Sequence, residues 1–140
     1  PPTTHNTLSL HDALPISFVR GDRRFAAVQN LAPFLPETES RFLCDARTGV
    51  KYQSLASGFR GRKADPFIVT VEPKPENTPI HFNSHEGQEF NLVIEGRMLL
   101  NINGKELILN PGDSLYFDSS IPHGMMALDD KTVKFLAVIL

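Results

Sequence analysis

Hydrophobic and polar residues alternate in short runs from residue 50 to the end of the chain. The run Phe67–Val71 is rich in β-branched and aromatic residues, which favour strands. Asn103-Gly104 separates two further runs and is a strong signal for a type I′ hairpin turn. The runs are Val50–Leu55, Phe67–Val71, Phe90–Ile94, Met98–Ile102, Glu106–Leu109 and Thr132–Leu140. Since no helical period competes in this region, the pattern predicts an all-β fold, namely a small antiparallel β-barrel or jelly roll.

The residues before this region carry a weaker pattern. Phe25–Val28 is compatible with one strand, whereas Asn30–Arg47 has two prolines and mixed polarity and is predicted to be irregular. We therefore divide this part of the chain into an N-terminal arm at residues 18–49, which packs on the barrel or on a partner, and a barrel at residues 50–140.

The first residues have a different character. Thr7–Ile16 reads TLSLHDALPI and resembles the translation of a common sequencing adapter. We expect residues 1–17 to be a non-native, unpacked tail, with the natural sequence beginning near Phe18, and we leave the tail out of the fold prediction. His5 and His11 are accordingly not candidates for metal ligands.

Two histidines and a glutamate are suited to hold a metal ion in such a barrel. Side chains alternate along a strand, so His81, Asn83 and His85 would share one face, and Glu89 can return to that face after a turn. Together with His123, this arrangement offers two imidazole nitrogens and one carboxylate oxygen. A facial set of this kind suits iron, manganese, nickel or zinc and leaves coordination positions open. We predict His85, Glu89 and His123 as the ligands.

These residues lie in two segments that resemble the paired motifs of the cupin superfamily. The first motif contains His-x-His, a glutamate and a glycine, and His85, Glu89 and Gly96 match it, while Asn83 stands where the first histidine is expected. The second motif is matched by Gly112, Asp113, Pro122 and His123. The resemblance covers roughly residues 66–140. It implies a cupin barrel, the double-stranded β-helix, and a metal centre inside it.

Five further residues are assigned to the surroundings of the metal. His81 and Asn83 are candidates for a fourth ligand or for the cavity wall, and Asn83 fits hydrogen bonding better because a neutral amide oxygen is a weak ligand for these metals. Tyr116, Met125 and Asn91 are expected to line the ligand pocket. Asn91 follows Glu89 by two positions and therefore shares its strand face.

A row of apolar residues on the same strand is expected to face outward. If Glu89 points inward, then Phe90, Leu92 and Ile94 point away from the cavity. An apolar row of this size should be covered by protein, either by the N-terminal arm or by a second subunit. Small cupins that this chain resembles commonly dimerise through such sheets, so we expect a homodimer.

Composition narrows the function classes. The formal net charge is −2, so no global basic field favours nucleic acid, and we expect no DNA binding by this domain alone. The single cysteine, Cys44, excludes an internal disulfide and agrees with a reducing, cytoplasmic location. No segment is apolar over enough residues to span a membrane.

The sequence favours one function, a ligand sensor, and leaves two alternatives open. The run from Glu86 (EGQEFN) and the segment Ser114–His123 resemble the sensor barrels of Xre-type helix-turn-helix transcriptional regulators. This resemblance implies a metal-centred sensor of a small, anionic molecule, whose DNA-binding module would precede Phe18. The first alternative is a cupin metalloenzyme, an oxygenase or isomerase acting on a small organic acid, with only His81 and Tyr116 available for proton transfer. The second alternative is a metal-free binding module.

Overall fold

The computed structural model describes residues 17–19, 41–45, 48–56 and 58–140. These residues form ten strands and no helix, so the described part contains no helix of the length and apolarity needed to cross a membrane. The strands are β1 (Ser17–Val19), β2 (Arg41–Cys44), β3 (Lys51–Ser54), β4 (Asp65–Val71), β5 (Gln88–Glu95), β6 (Met98–Ile102), β7 (Lys105–Leu109), β8 (Ser114–Asp118), β9 (His123–Ala127) and β10 (Val133–Ile139).

The strands form two antiparallel sheets. The large sheet has the order β1-β8-β5-β10-β4-β3-β2, and the small sheet has the order β7-β6-β9. Every strand pairing in both sheets is antiparallel. Since β8 belongs to the large sheet and β9 to the small one, the chain crosses between them at residues 119–122. The all-β antiparallel architecture predicted from the sequence is confirmed.

Buried side chains from both sheets form one hydrophobic core. On β6, Met98, Leu100 and Ile102 have no exposed surface, as expected for the inward face of an alternating strand. Each large apolar side chain buried in this way contributes about 1.5–3 kcal/mol relative to an exposed one. Two polar residues of β5, Glu89 and Asn91, are also buried and interrupt this apolar interior.

The described parts of the N-terminal arm belong to the large sheet. Ser17–Val19 pairs with β8, and Arg41–Cys44 pairs with β3, so each forms an edge strand. Ser17 is therefore paired rather than part of an unpacked tail, and Arg41–Cys44 is a strand where the sequence indicated irregular structure, because pairing with β3 overrides its weak local pattern. The strand predicted at Phe25–Val28 and the adapter-like run at residues 7–16 lie outside the described residues.

The outward row on β5 follows the expected alternation at its first two positions. Phe90 and Leu92 are half-buried, while Glu89 and Val93 on the opposite face are buried. Ile94 departs from this pattern because it is only 5% exposed. The register between β5 and β10 shifts at this point, and such a β-bulge disturbs the alternation of the strand.

Candidate metal centre

A glycine turn brings His85 back toward β5. Gly87 has a φ of +104°, which favours glycine, and a Cβ at this position would collide with the backbone of Leu140. His85 lies before this turn, and Glu89 lies after it as the second residue of β5. Because only glycine fits at this position, Gly87 allows the tight turn that places His85 and Glu89 on its two sides.

Backbone hydrogen bonds hold the segments that carry the two histidines. The His85 amide donates to the Ser119 carbonyl at 2.9 Å, and the Ser119 amide donates to the Gly87 carbonyl at 3.2 Å. Asn83 and His123 form an isolated antiparallel bridge in which each amide donates to the other carbonyl, at 2.8 and 2.9 Å. The crossing between the sheets and the segment before β5 are therefore fixed against each other.

The three predicted ligands converge. One ligand atom from each of His85, Glu89 and His123 lies within 4.8 Å of the other two. Nε2 of His85 is 3.2 Å and Nε2 of His123 is 3.8 Å from Oε1 of Glu89. The two imidazole rings are nearly perpendicular, with centroids 5.3 Å apart. This geometry places two nitrogens and one oxygen close enough together to hold one ion, as the sequence predicted.

The hydrogen bonds around the rings indicate which atoms are free to bind a metal. Nδ1 of His123 is 2.8 Å from the Ile121 carbonyl oxygen, which can only accept, so Nδ1 carries the proton. Nε2 of His123 is therefore the nitrogen available to bind a metal, and it faces Oε1 of Glu89. The donor set fits one divalent transition metal.

Asn91 supports the carboxylate from behind. In the amide orientation that satisfies both groups, the side-chain nitrogen of Asn91 donates to Oε2 of Glu89 at 3.0 Å and leaves Oε1 for the metal. Burial raises the pKa of Glu89, and the two histidines and the Asn91 hydrogen bond lower it by a smaller amount. A buried carboxylate with a raised pKa, next to two imidazoles, is characteristic of functional sites.

The ligand atoms lie at the wall of a cavity of about 190 Å³, which we call the metal cavity. Its other described lining residues are mostly apolar and come from β3, β4, β9 and β10, together with the segment before β5. They are Tyr52, Phe67, Val69, Asn83, Ser84, Met125, Phe135, Ala137 and Ile139. Glu89 is the only Asp, Glu, Lys or Arg among the described lining residues of the metal cavity. A metal ion bound here would have open positions facing an apolar space.

The other predicted site residues are placed differently. Met125 and Asn83 line the metal cavity, as expected. Asn91 is fully buried and contacts Glu89 rather than lining the metal cavity. Tyr116 does not match its predicted place in the pocket, because it lies on the outer face of β8, is 37% exposed and donates to Gln88. His81 is exposed and is absent from the ligand cluster.

Several lining residues were not identified from the sequence. Tyr52 and Phe67 belong to neighbouring strands, with ring centroids 6.1 Å apart, and Phe135 faces the same space from β10. Alternation along each of these strands could have indicated an inward face. Phe117 is fully buried, and it packs edge-on against the His123 ring at a centroid distance of 5.0 Å. It therefore fixes the orientation of a predicted ligand as well as filling the barrel.

A family model for the cupin domain matches residues 67–139, slightly more than half of the chain. The chain belongs to the cupin family. The matched region begins in β4 and contains all three predicted ligands. No curated protein matches this cupin chain.

Solved structures of one enzyme share the fold of this cupin chain. Hydroxypropylphosphonic acid epoxidase (HppE) from S. wedmorenis is 26% identical with a TM-score of 0.63, covering 75% of this chain and 57% of its own. The FeII form of HppE is 26% identical with a TM-score of 0.64, and the match covers 75% of this chain and 58% of the enzyme. The CoII form in complex with substrate is 28% identical with a TM-score of 0.57, and the match covers 76% of this chain and 60% of the enzyme. This cupin chain thus spans less than two thirds of the length of these enzymes.

Proposed function

We propose that this cupin domain binds one metal ion and is an enzyme that acts on a small organic acid at that ion. The observation that carries the proposal is the convergence of His85, Glu89 and His123 at the wall of an apolar cavity. The ion would be iron, manganese, nickel or zinc, and it would supply Lewis acidity and, if redox-active, reaction with dioxygen. The likeness to FeII and CoII forms of an epoxidase at 26–28% identity supports the enzyme over the sensor that we favoured from the sequence.

Charge in the metal cavity favours an anionic ligand. A divalent ion bound by the Glu89 carboxylate keeps a net positive charge, and no other described lining residue carries a fixed charge. A singly charged head group, such as a carboxylate, would neutralise this site, whereas a dianion would leave an excess charge in an apolar space. We therefore infer a monoanionic group at the metal.

The protein residues have separate roles in this proposal. His85, Glu89 and His123 hold the ion. Asn91 keeps Glu89 in one orientation through Oε2, and the Ile121 carbonyl keeps the proton of His123 on Nδ1. A ligand that fills the apolar metal cavity would displace water and so strengthen the electrostatic interactions at the ion.

The sensor remains the second candidate, and one observation favours it. Apart from the three ligands, Tyr52 is the only described lining residue of the metal cavity with a titratable side chain, so proton transfer to a substrate has little support. Under this alternative the anion binds without reaction and shifts the barrel between two states, as a regulator requires.

One experiment separates these candidates. Protein loaded with FeII under anaerobic conditions is mixed with small carboxylic acids, and melting temperature, oxygen uptake and product formation are followed together. Metal-dependent product supports the enzyme. A raised melting temperature without product supports the sensor. A protein that takes up no stoichiometric metal, and gains no stability when metal is added, contradicts both and supports the metal-free module. His123→Ala is the control that lacks the site.

The homodimer stays a prediction of the same proposal. Phe90 and Leu92 form a half-buried apolar surface on the large sheet. We expect sedimentation velocity to give a dimer that Leu92→Glu weakens. The exposed Ile108 on β7, 43% exposed, offers a matched control, because Ile108→Glu changes another sheet. A monomer in the unmodified protein would contradict the prediction.

A further inference from the structure

A second cavity adjoins the metal cavity. It has a volume of about 140 Å³, and we call it the side cavity. Its walls come from the end of β4, the segment before β5 and the middle of β9, with apolar contributions from Val50, Val71, Ile80 and Met126. Asn83 and Met125 line both cavities, so these two side chains form the partition between them.

The sizes of the two cavities argue for joint use. Sites for small molecules typically enclose roughly 300–1,000 Å³. The metal cavity alone, at about 190 Å³, is smaller than this range, and the two cavities together reach its lower end. The partition is also easily moved, because Met125 is an unbranched, flexible side chain that adapts to irregular space. A ligand longer than the metal cavity would extend past Met125.

The side cavity has a cationic side chain, which the described lining of the metal cavity lacks apart from its histidines. Lys74 lines it as an exposed residue, and its ammonium group makes no ion pair with the described residues. His81 lines it as well and makes no side-chain hydrogen bond within the described ranges. Thr48 and Thr78, by contrast, bond to the neighbouring backbone. The side cavity therefore combines an apolar wall with one ammonium group and one imidazole, neither of which has a side-chain partner among the described residues.

The side-chain amide of Asn83 lies between the metal cavity and the side cavity. The Asn83 backbone is fixed by its two hydrogen bonds to His123, while its side chain has no bonded partner in the described part of the chain. Residues directly opposite each other in an antiparallel pair project to the same face, so Asn83 points to the side where His123 meets the metal. It can hydrogen-bond a polar group in the middle of a ligand.

We propose that the side cavity is a subsite for the distal anionic group of an elongated, two-headed acid whose other head binds the metal. Lys74 and His81 bind the distal anion. Met125 packs against the apolar linker, and Asn83 forms a hydrogen bond with a polar group in the middle of the ligand. The proposal rests on the proposed function, because it requires that one carboxylate binds at the metal. It assigns specificity to residues outside the ligand set.

A comparison of two ligand series tests this subsite. CoII-loaded protein is titrated with straight-chain monocarboxylates from butyrate to heptanoate and with dicarboxylates of the same lengths, and binding is read from the CoII absorption bands. We expect dicarboxylates long enough to reach Lys74 to bind roughly tenfold more tightly than the matching monocarboxylates, the size of one charge-assisted hydrogen bond that is partly open to solvent.

Variants of Lys74 show where the gain arises. Lys74→Met keeps the length of the side chain, removes the charge and should abolish the gain for dicarboxylates while leaving the affinity for short monocarboxylates unchanged. Lys74→Arg should retain most of the gain. Lys131→Met, at an exposed lysine in the turn before β10, is the matched control and should behave as the unmodified protein.

The outcomes are distinguishable. If short monocarboxylates shift the CoII bands but no dicarboxylate binds more tightly, or if Lys74→Met keeps the gain, the subsite is wrong and the metal cavity stands. If neither series shifts the bands, the proposed binding of acids at the metal falls and the subsite falls with it. A gain that requires Lys74 supports both.

Discussion

The two halves of the candidate metal centre are held in different ways. The side chains of Glu89 and His123 are 6% and 4% exposed, whereas the side chain of His85 is 36% exposed. Glu89 and His123 are each oriented by a second contact, to Asn91 at 3.0 Å and to the Ile121 carbonyl at 2.8 Å. Nδ1 of His85 has only a backbone carbonyl at 3.5 Å, which is a weak hydrogen bond at best.

This difference means that the predicted ligands are positioned by two different parts of the barrel. The core builds the buried half, so the positions of Glu89 and His123 are set by the same packing that stabilises the fold. A surface turn builds the other half, so His85 can turn away without unfolding the barrel. The buried half would fix where an ion lies, and the exposed half is the side from which an ion could enter or leave.

Replacing the buried carboxylate should have the largest effect and should separate function from stability. Glu89→Gln removes the only anionic ligand, so metal affinity should fall by more than the roughly 10- to 100-fold that loss of a supporting residue costs. Burial raises the pKa of Glu89, so the metal-free folded state binds this proton more tightly than the unfolded state does. The stability that Glu89 contributes is complete below its unfolded pKa and is lost as the pH rises through the raised value.

The pH dependence provides the measurement for this variant. Urea unfolding of the metal-free protein should show Glu89→Gln more stable than the unmodified protein at neutral pH, with the difference shrinking as the pH falls toward the ordinary pKa of glutamate. Glu95→Gln, at the exposed end of the same strand, should show no such trend. Equal stability of Glu89→Gln and the unmodified protein at all pH values would contradict a buried, destabilised carboxylate.

The two histidines should differ in their effect on stability. His123→Ala leaves a void beside Phe117 and should cost about 2–4 kcal/mol of unfolding free energy in the metal-free protein, together with the loss of metal. His85→Ala should also abolish tight metal binding but should cost the metal-free protein less stability than His123→Ala does, since the side chain of His85 is partly exposed and its loss leaves no enclosed void. Chemical unfolding with a chelator present measures both. Equal costs for the two variants would show that the halves are not held differently.

Loss of the supporting amide should have an intermediate effect. Asn91→Ala removes the donor to Oε2 of Glu89 while leaving all three ligands, so metal affinity should fall roughly 10- to 100-fold. Competition with a chelator of known affinity measures this change. Asn101→Ala, at an asparagine of β6 whose side chain accepts from the Gly104 amide, is the matched control and should leave metal affinity unaltered.

The smallest effect is expected at the position of the missing motif histidine. Asn83→Ala should weaken metal binding by less than about tenfold, because a neutral amide oxygen is a poor ligand for these ions. The same chelator competition applies. A loss larger than that of His123→Ala would mean that Asn83 belongs to the ligand set and that the three-ligand assignment is incomplete.

The sequence was sufficient for those features that depend on local pattern. Alternation along β5 predicted that Glu89 and Asn91 share the inward face, and the motif resemblance identified His85 and His123. Alternation also contradicts the predicted role of Tyr116, since Leu115 and Phe117 occupy the inward face of β8 and leave the tyrosine outside.

Other features depend on pairing between strands that are distant in the sequence. Tyr52 and Phe67 reach the metal cavity because β3 and β4 pair next to β10 in the large sheet, and no local pattern specifies this neighbourhood. Arg41–Cys44 becomes a strand only through pairing with β3. The separation of His81 from the ligand cluster likewise depends on the bridge at Asn83, which fixes the segment before β5 against β9.

The bridge between Asn83 and His123 also makes this barrel a convenient starting point for protein engineering. Asn83 and His123 lie directly opposite each other and their backbones are hydrogen-bonded. A side chain at position 83 therefore starts next to His123, a predicted metal ligand, without any change in the backbone. Asn83→His would offer a third imidazole, and the number of coordination positions left for an added ligand would fall by one. The residue at position 83 would then decide how many coordination positions remain for a reactant.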